Sequence, residues 1–152
     1  MKRCLYALMV LVVLLTGCAS SGKTFTSSPE ELAASILEQA SFTDQLTALP
    51  EDAALRLYGL DAGDVDSCCI YVGTGSTAEE IAVFRMKDEN LVDTAKEAIE
   101  KRIQYQTDNF ESYVPTEVPK LEKSVTVTGG TTVLFVVSDD ADKAKSVIDS
   151  LS

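Results

Sequence analysis

The sequence has no histidine and no tryptophan among its 152 residues. Lacking histidine, it lacks the commonest general base and the commonest zinc ligand, and no Ser-His-Asp machinery can form within the chain. Lacking tryptophan, it has no indole platform on which a sugar would stack. Cations are scarce as well: 13 Lys+Arg stand against 24 Asp+Glu, a formal charge of −11. Such a balance excludes nucleic-acid binding, which needs a basic face to displace counterions from phosphate. There are four cysteines but no C-x-x-C pair, so neither a zinc knuckle nor a thioredoxin-like redox motif is present. What remains, 45% hydrophobic and 24% charged, is the composition of one ordinary folded domain.

The N-terminal region reads as an address. Met1-Lys2-Arg3 is a short basic start, and Leu5 to Leu15 run apolar without a break. This run is too short to span a bilayer, which takes about 20 residues, but suits the core of a secretory signal. Leu15-Thr16-Gly17-Cys18 follows and resembles the lipobox of bacterial lipoproteins, in which the cysteine is lipidated and the chain is cut just before it. On this reading residues 1–17 are a lipoprotein signal peptide. Cys18 carries palmitate-type chains that hold the protein to the membrane, and two buried chains suffice for stable anchoring. Residues 18–28, small and polar, form a flexible tether, and residues 29–152 form a single domain. Removing Lys2 and Arg3 leaves 11 Lys+Arg against 24 acids, a balance of −13 for the mature chain. The localisation expected is the extracytoplasmic face of a bacterial cell membrane, or the outer membrane of a diderm.

Gly17 to Thr24 match G-x-x-x-x-G-K-[ST]. A phosphate-binding loop needs a buried strand before it and a helix directly after it. Here the signal core precedes it, and the first helix signal waits until Pro29, so no nucleotide partner is assigned. Ser20-Ser21-Gly22-Lys23 fits S-x-x-K, but the tether offers nothing to position a nucleophile.

Downstream the patterning predicts an α+β fold of order α-α-β-β-α-β-β-α. Ser28-Pro29-Glu30-Glu31 opens a helix with a capping box that ends near Ser41. A short helix covers Glu51 to Tyr58 and stops at Gly59. Strands at Asp66 to Val72 and Glu80 to Met86 flank the turn Gly73 to Ser76 and form one hairpin. Asp88 caps the longest helix, Glu89 to about Ser112, with Val92, Ala95, Ile99, Ile103, Gln106 and Phe110 on one face. Pro115 and Pro119 bracket an irregular connection. Lys123 to Thr128 and Thr131 to Val137 form a second hairpin around Gly129-Gly130, the latter strand the most buried. A last helix runs from Asp140 to Leu151, capped by Ser138 or Asp139. The expected architecture is a four-stranded, mostly antiparallel sheet with the long and last helices covering one face.

Chemistry-bearing residues are few. Cys68 and Cys69 are adjacent, so on a strand they face opposite sides and do not readily join. Asp61, Asp64 and Asp66 share a loop that lacks the spacing of a calcium hand and reads as solvated. Asp139, Asp140 and Asp142 are accounted for by helix capping. No catalytic residue, metal ligand or cofactor is nominated. Tyr105, Phe110 and Tyr113 form the densest aromatic segment; helix-end packing accounts for it, and a partner surface is the alternative.

A resemblance emerges from Glu79-Glu80-Ile81-Ala82-Val83-Phe84, a long helix containing Lys101 to Gln106, the Phe110/Tyr113/Pro115 segment, Val133 to Val137, and Ser138-Asp139-Asp140. This arrangement resembles the DUF4358 family over roughly residues 30 to 150. The resemblance implies a small, uncharacterised bacterial lipoprotein, mainly of Firmicutes. It also implies an accessory role beside a membrane O-acyltransferase that modifies an envelope polymer. The expected function is a non-enzymatic, membrane-anchored binding or accessory module of the cell envelope, with an envelope protein or polymer as partner. The alternatives are a carboxylate-dependent envelope enzyme acting on glycans, and a regulator or accessory subunit of a membrane O-acyltransferase system.

Overall fold

The computed structural model describes residues 22–152. Cys18 and the signal region lie outside the described residues. The first helix, α1 (Pro29–Gln39), starts as its capping box dictates: Ser28 Oγ accepts from Glu31 N, and Glu31 Oε2 accepts from Ser28 N at 3.0 Å. A two-residue strand β1 (Thr47–Ala48) precedes α2 (Glu51–Tyr58). Strands β2 (Val65–Val72) and β3 (Glu80–Met86) form the first hairpin. Asp88 caps a 3-10 turn, Glu89–Leu91, that feeds the long helix α3 (Val92–Tyr113). A second 3-10 turn, Pro115–Glu117, leads into α4 (Val118–Glu122). Strands β4 (Val125–Gly129) and β5 (Thr132–Val137) form the second hairpin, and α5 (Ala141–Ser150) follows.

The fold is α+β with a sheet of five strands, not four, in the order β1-β2-β3-β5-β4, every neighbouring pair antiparallel. The additional strand is β1, two residues long, paired through Thr47 with Val72 and Ala48 with Tyr71. The connection expected to be irregular between Pro115 and Pro119 is helical. Each proline sits at the start of a helical turn, where its missing N–H costs nothing.

A second correction concerns the layers. Helices cover both faces of the sheet. Ala54 and Tyr58 of α2, Ala95, Ile99 and Phe110 of α3, and Leu121 of α4 pack with Ile70, Ala82, Phe84 and Phe135 on one face. Leu32 and Ile36 of α1 and Ala144 and Ile148 of α5 pack with Ile81, Val83, Leu134 and Val136 on the other. The reason is the composition of the two central strands. All six residues of β5 and six of the seven of β3 are buried, so neither face can be left to water.

Residues 22–28, expected within the tether, lie against this body. Phe25 is 5% exposed and belongs to the α1/α5 core. Gly129 makes room for it: a Cβ there would stand 2.8 Å from the Phe25 ring and 2.7 Å from the Lys23 carbonyl. Arg85 donates to the Ser27 carbonyl at 2.5 Å, and Lys23 meets Asp149 at 2.6 Å. The physical cause is a single large apolar side chain in an otherwise polar stretch.

Candidate functional site

Glu79, just before β3, and Glu80, its first residue, are adjacent buried carboxylates, each 1% exposed. Consecutive strand residues point to opposite sides, so Glu79 and Glu80 recruit different partners. Glu79 accepts from Thr43 N at 2.8 Å, Thr43 Oγ1 at 2.9 Å, Asp44 N at 2.9 Å and Lys120 Nζ at 2.9 Å. Burial alone would raise its pKa. The Asp44 N–H, the Lys120 ammonium and the Thr43 donors outweigh burial and hold it below the ordinary range. Lys120 also reaches Glu117 at 3.2 Å, and Glu117 in turn accepts from Ala78 N at 3.0 Å. Burial would lower the Lys120 pKa, but Glu79 and Glu117 together raise it.

Glu80 faces α2 and α3. It accepts from the Tyr58 hydroxyl, from Arg102 Nη2 at 2.6 Å and Nε at 3.2 Å, and from Gln106 Nε2 at 3.3 Å. Burial, then the Glu80 charge, pushes the Tyr58 phenol well above its usual value, so Tyr58 stays a donor. The Arg102 guanidinium is raised too, burial being outweighed by Glu80. Edge-to-face packing of Tyr58 on Phe84, with centroids 4.9 Å apart, fixes the ring that carries the hydroxyl.

Above this group opens a cleft of about 390 Å³. One wall is the β2–β3 loop: Val72, Gly73, Gly75 and Thr77. The other is the C-terminal half of α3: Arg102, Tyr105, Gln106, Asn109, Phe110 and Tyr113. These recur at steps of three and four, which puts them on one helix face. Asp44 holds the loop wall. Its carboxylate accepts from Thr74 N at 2.8 Å, Thr74 Oγ1 at 3.0 Å and Thr77 Oγ1 at 3.0 Å. The Thr74 N–H, more than any other contact, lowers the Asp44 pKa. Glycine at position 73 leaves room for this approach: a Cβ would lie 2.6 Å from Asp44 Oδ2, and the carboxylate would have to shift.

The structure thus brings Tyr105, Phe110 and Tyr113 to one cleft, in two roles. Phe110 is buried, whereas Tyr105 is 62% and Tyr113 74% exposed. Tyr105 also borders a neighbouring hollow beside Leu57 and Gly59. The cleft holds no pair of convergent free acids. Glu80 at its floor is matched by Arg102, and Glu79 is engaged by Lys120.

The other candidates lie elsewhere. Cys68 is buried toward α2 and α3, Cys69 is half-buried on the opposite face, and both are free thiols. Asp61 accepts from Gly63 N at 2.6 Å within its own loop. Asp140, not Ser138 or Asp139, caps α5, accepting from Lys143 N at 3.0 Å. The backbone explains the shift: Asp139 N is drawn to the Ser41 carbonyl at 3.1 Å. Lys23 of the two N-terminal motifs is paired with Asp149, and Ser20 lies outside the described residues. Among the described residues no three His, Cys, Asp or Glu side chains converge to hold a metal ion, and no helix is long and apolar enough to cross a membrane.

Sequence reasoning missed Glu79, Glu80, Arg102, Lys120, Asp44 and Tyr58 as a connected polar system. The signal available was two glutamates opening an otherwise apolar strand. A buried carboxylate requires a partner, and Arg102 lies four residues before Gln106 on the inward face already recognised.

All residues of the cleft, and every group that donates to the Glu79 and Glu80 carboxylates, fall within 43–120. The sequence model of a domain of unknown function, DUF4358, matches residues 38–138. The chain belongs to the DUF4358 family. No curated protein and no solved structure matches it. The DUF4358 match takes in all five strands, α2, α3 and α4, so the family's shared segment contains the whole cleft and leaves most of α1 and all of α5 outside.

Proposed function

We propose that this DUF4358 protein is a lipid-anchored, extracytoplasmic binding or accessory module of the bacterial cell envelope. Cys18 is the anchoring residue, and the cleft between the β2–β3 loop and α3 is the binding surface. The observation that carries this reading is the pair of tyrosines at the cleft rim. Tyr105 and Tyr113 leave most of their rings in water beside a pocket, and exposed tyrosines with a polar tip are favoured anchors for a partner. The buried acids favour binding over catalysis. Each is already held by four donor contacts, and a general base must be free to take a proton. A membrane O-acyltransferase system, the partner that family resemblance implies, is one form such a module would serve.

Capture from native membranes tests the binding role. The wild-type domain should retain a specific partner that Tyr105→Ser/Tyr113→Ser loses. Equal capture by both proteins would refute the cleft as the binding surface. Labelled palmitate tests the anchor: it should enter the wild-type chain and not Cys18→Ala, and unchanged membrane retention of Cys18→Ala would refute the anchor.

A further inference from the structure

The docked N-terminal segment and the cleft lie at opposite ends of the sheet. Phe25 packs beside Gly129 at the β4–β5 turn, and the Gly129–Thr132 pair lies at the end of the sheet where Arg85 of β3 pairs with Thr132. The same end holds Glu89 and Val92, which line a hollow with Gly22, Lys23 and Gly130. The cleft lies where β3 begins, at Glu80, and where α3 finishes, at Tyr113. Two elements measure the separation. From Glu80 to Met86 the strand advances about 20 Å, and from Val92 to Tyr113 the helix advances about 31 Å.

Resting on the anchoring reading above, we infer that the β4–β5 turn end faces the bilayer and the cleft faces away from it. Were residues 18–28 a free leash, the domain could turn any face to the membrane. Phe25, the Arg85–Ser27 bond and the Lys23–Asp149 pair shorten that leash and fix its root at the turn end. Only the stretch from Cys18 to Lys23 is left, a span of at most about 18 Å when extended. That is shorter than α3, so the lipid stays near the end where Lys23 is fixed. The occupant of the cleft therefore arrives from the extracytoplasmic side and is not a membrane lipid. The excess of acids strengthens the arrangement, because an acidic domain is repelled by anionic headgroups and does not lie down on them.

The absence of tryptophan supplies the test. Glu89→Trp and Ser76→Trp each place one fluorophore at an exposed position, the first at the turn end and the second in the β2–β3 loop, between the cleft residues Gly75 and Thr77. The full lipidated chains are reconstituted into phosphatidylcholine vesicles containing headgroup-dansylated phosphatidylethanolamine, and energy transfer is read after flotation. Urea midpoints equal to wild type verify that both variants are folded. Transfer several-fold greater from Glu89→Trp than from Ser76→Trp is expected. Equal transfer, or more from Ser76→Trp, in protein that floats with the vesicles overturns the orientation and leaves the anchor intact. Failure to float overturns the anchor itself, and the orientation with it.

Discussion

Arg102 Nη2 lies 2.6 Å from Glu80 Oε2, with side-chain exposures of 11% and 2%. The pair locks α3 onto the central strand directly under the cleft. A buried pair of this kind adds little net stability over an apolar pair, but removing one partner strands the other charge. Arg102→Met should therefore destabilise the fold by about 3 kcal/mol or more. Glu80→Gln/Arg102→Met should recover most of that loss. Urea unfolding of the three proteins measures it. A single Arg102→Met variant as stable as wild type would show that the pair does not hold α3 to the strand.

The Glu79–Lys120 network predicts stability limits at both ends of the pH scale. The folded Glu79 pKa lies below its ordinary value near 4.5. Its contribution is therefore present above that value and is lost as pH falls through the lowered folded pKa. The Lys120 pKa is raised above 10.5, so its contribution is complete below 10.5 and fades as pH climbs through the raised folded value. Urea midpoints taken against pH should fall below about pH 4.5, and the slope on the acid side should flatten in Glu79→Gln. A Glu79→Gln profile parallel to wild type on that side would contradict the assignment.

The tyrosines and Phe110 predict a separation of stability from binding. Tyr105→Ser/Tyr113→Ser removes exposed rings, and each such change should alter stability by no more than about 0.5 kcal/mol. Phe110→Ala empties a buried site and should cost about 3–5 kcal/mol. Thermal unfolding distinguishes them. If the tyrosine double variant lost several kcal/mol, the two rings would be packing residues.

These residues also show how far the sequence was legible. Most element positions follow from local rules: the Ser28 capping box, the stop at Gly59 and the two hairpin turns need no knowledge of the remainder of the chain. Three features depend on contacts far along the chain. Strand β1 has two residues, too few for any period, and exists because Leu49 N donates to the Ile70 carbonyl at 2.9 Å beside it. The four-residue step from Pro115 to Pro119 reads locally as a breaker, yet each proline begins a helical turn. Both-face burial was written in Val133 to Val137, which offers no polar alternation, but which helices supply the cover is a matter of topology. The aromatic segment at the end of α3 was recognisable, whereas its carboxylate floor was not. Glu80, Tyr58 and Arg102 are each 22 residues or more from their partners, and no spacing rule links them.

The cysteines predict chemical silence. Burial, followed by the nearby Glu51 charge, pushes the Cys68 thiol up to about 11, and burial raises Cys69 as well. Because only a thiolate attacks an alkylating reagent, iodoacetamide at pH 8 should modify neither residue in the native protein and both after unfolding in urea. Rapid native labelling of Cys68 would show that the α2–α3 side of the sheet opens readily.

Phe25 predicts that the N-terminal segment is part of the fold. Its ring is buried against Gly129 although it belongs to a polar stretch. Phe25→Ala should cost about 3 kcal/mol, the price of emptying a buried aromatic site. A free tether would show no change at all. Gly129→Ala offers an independent reading of the same contact, since its Cβ would enter the space of the Phe25 ring and the Lys23 carbonyl. The carbonyl is backbone and cannot swing aside, so this small substitution should release the segment. Proteolysis between Gly22 and Ser28 then reports the release: slow in wild type, fast in Gly129→Ala and Phe25→Ala. Cleavage equally fast in wild type would mean that the segment is not held, and the leash between lipid and domain would regain its full length.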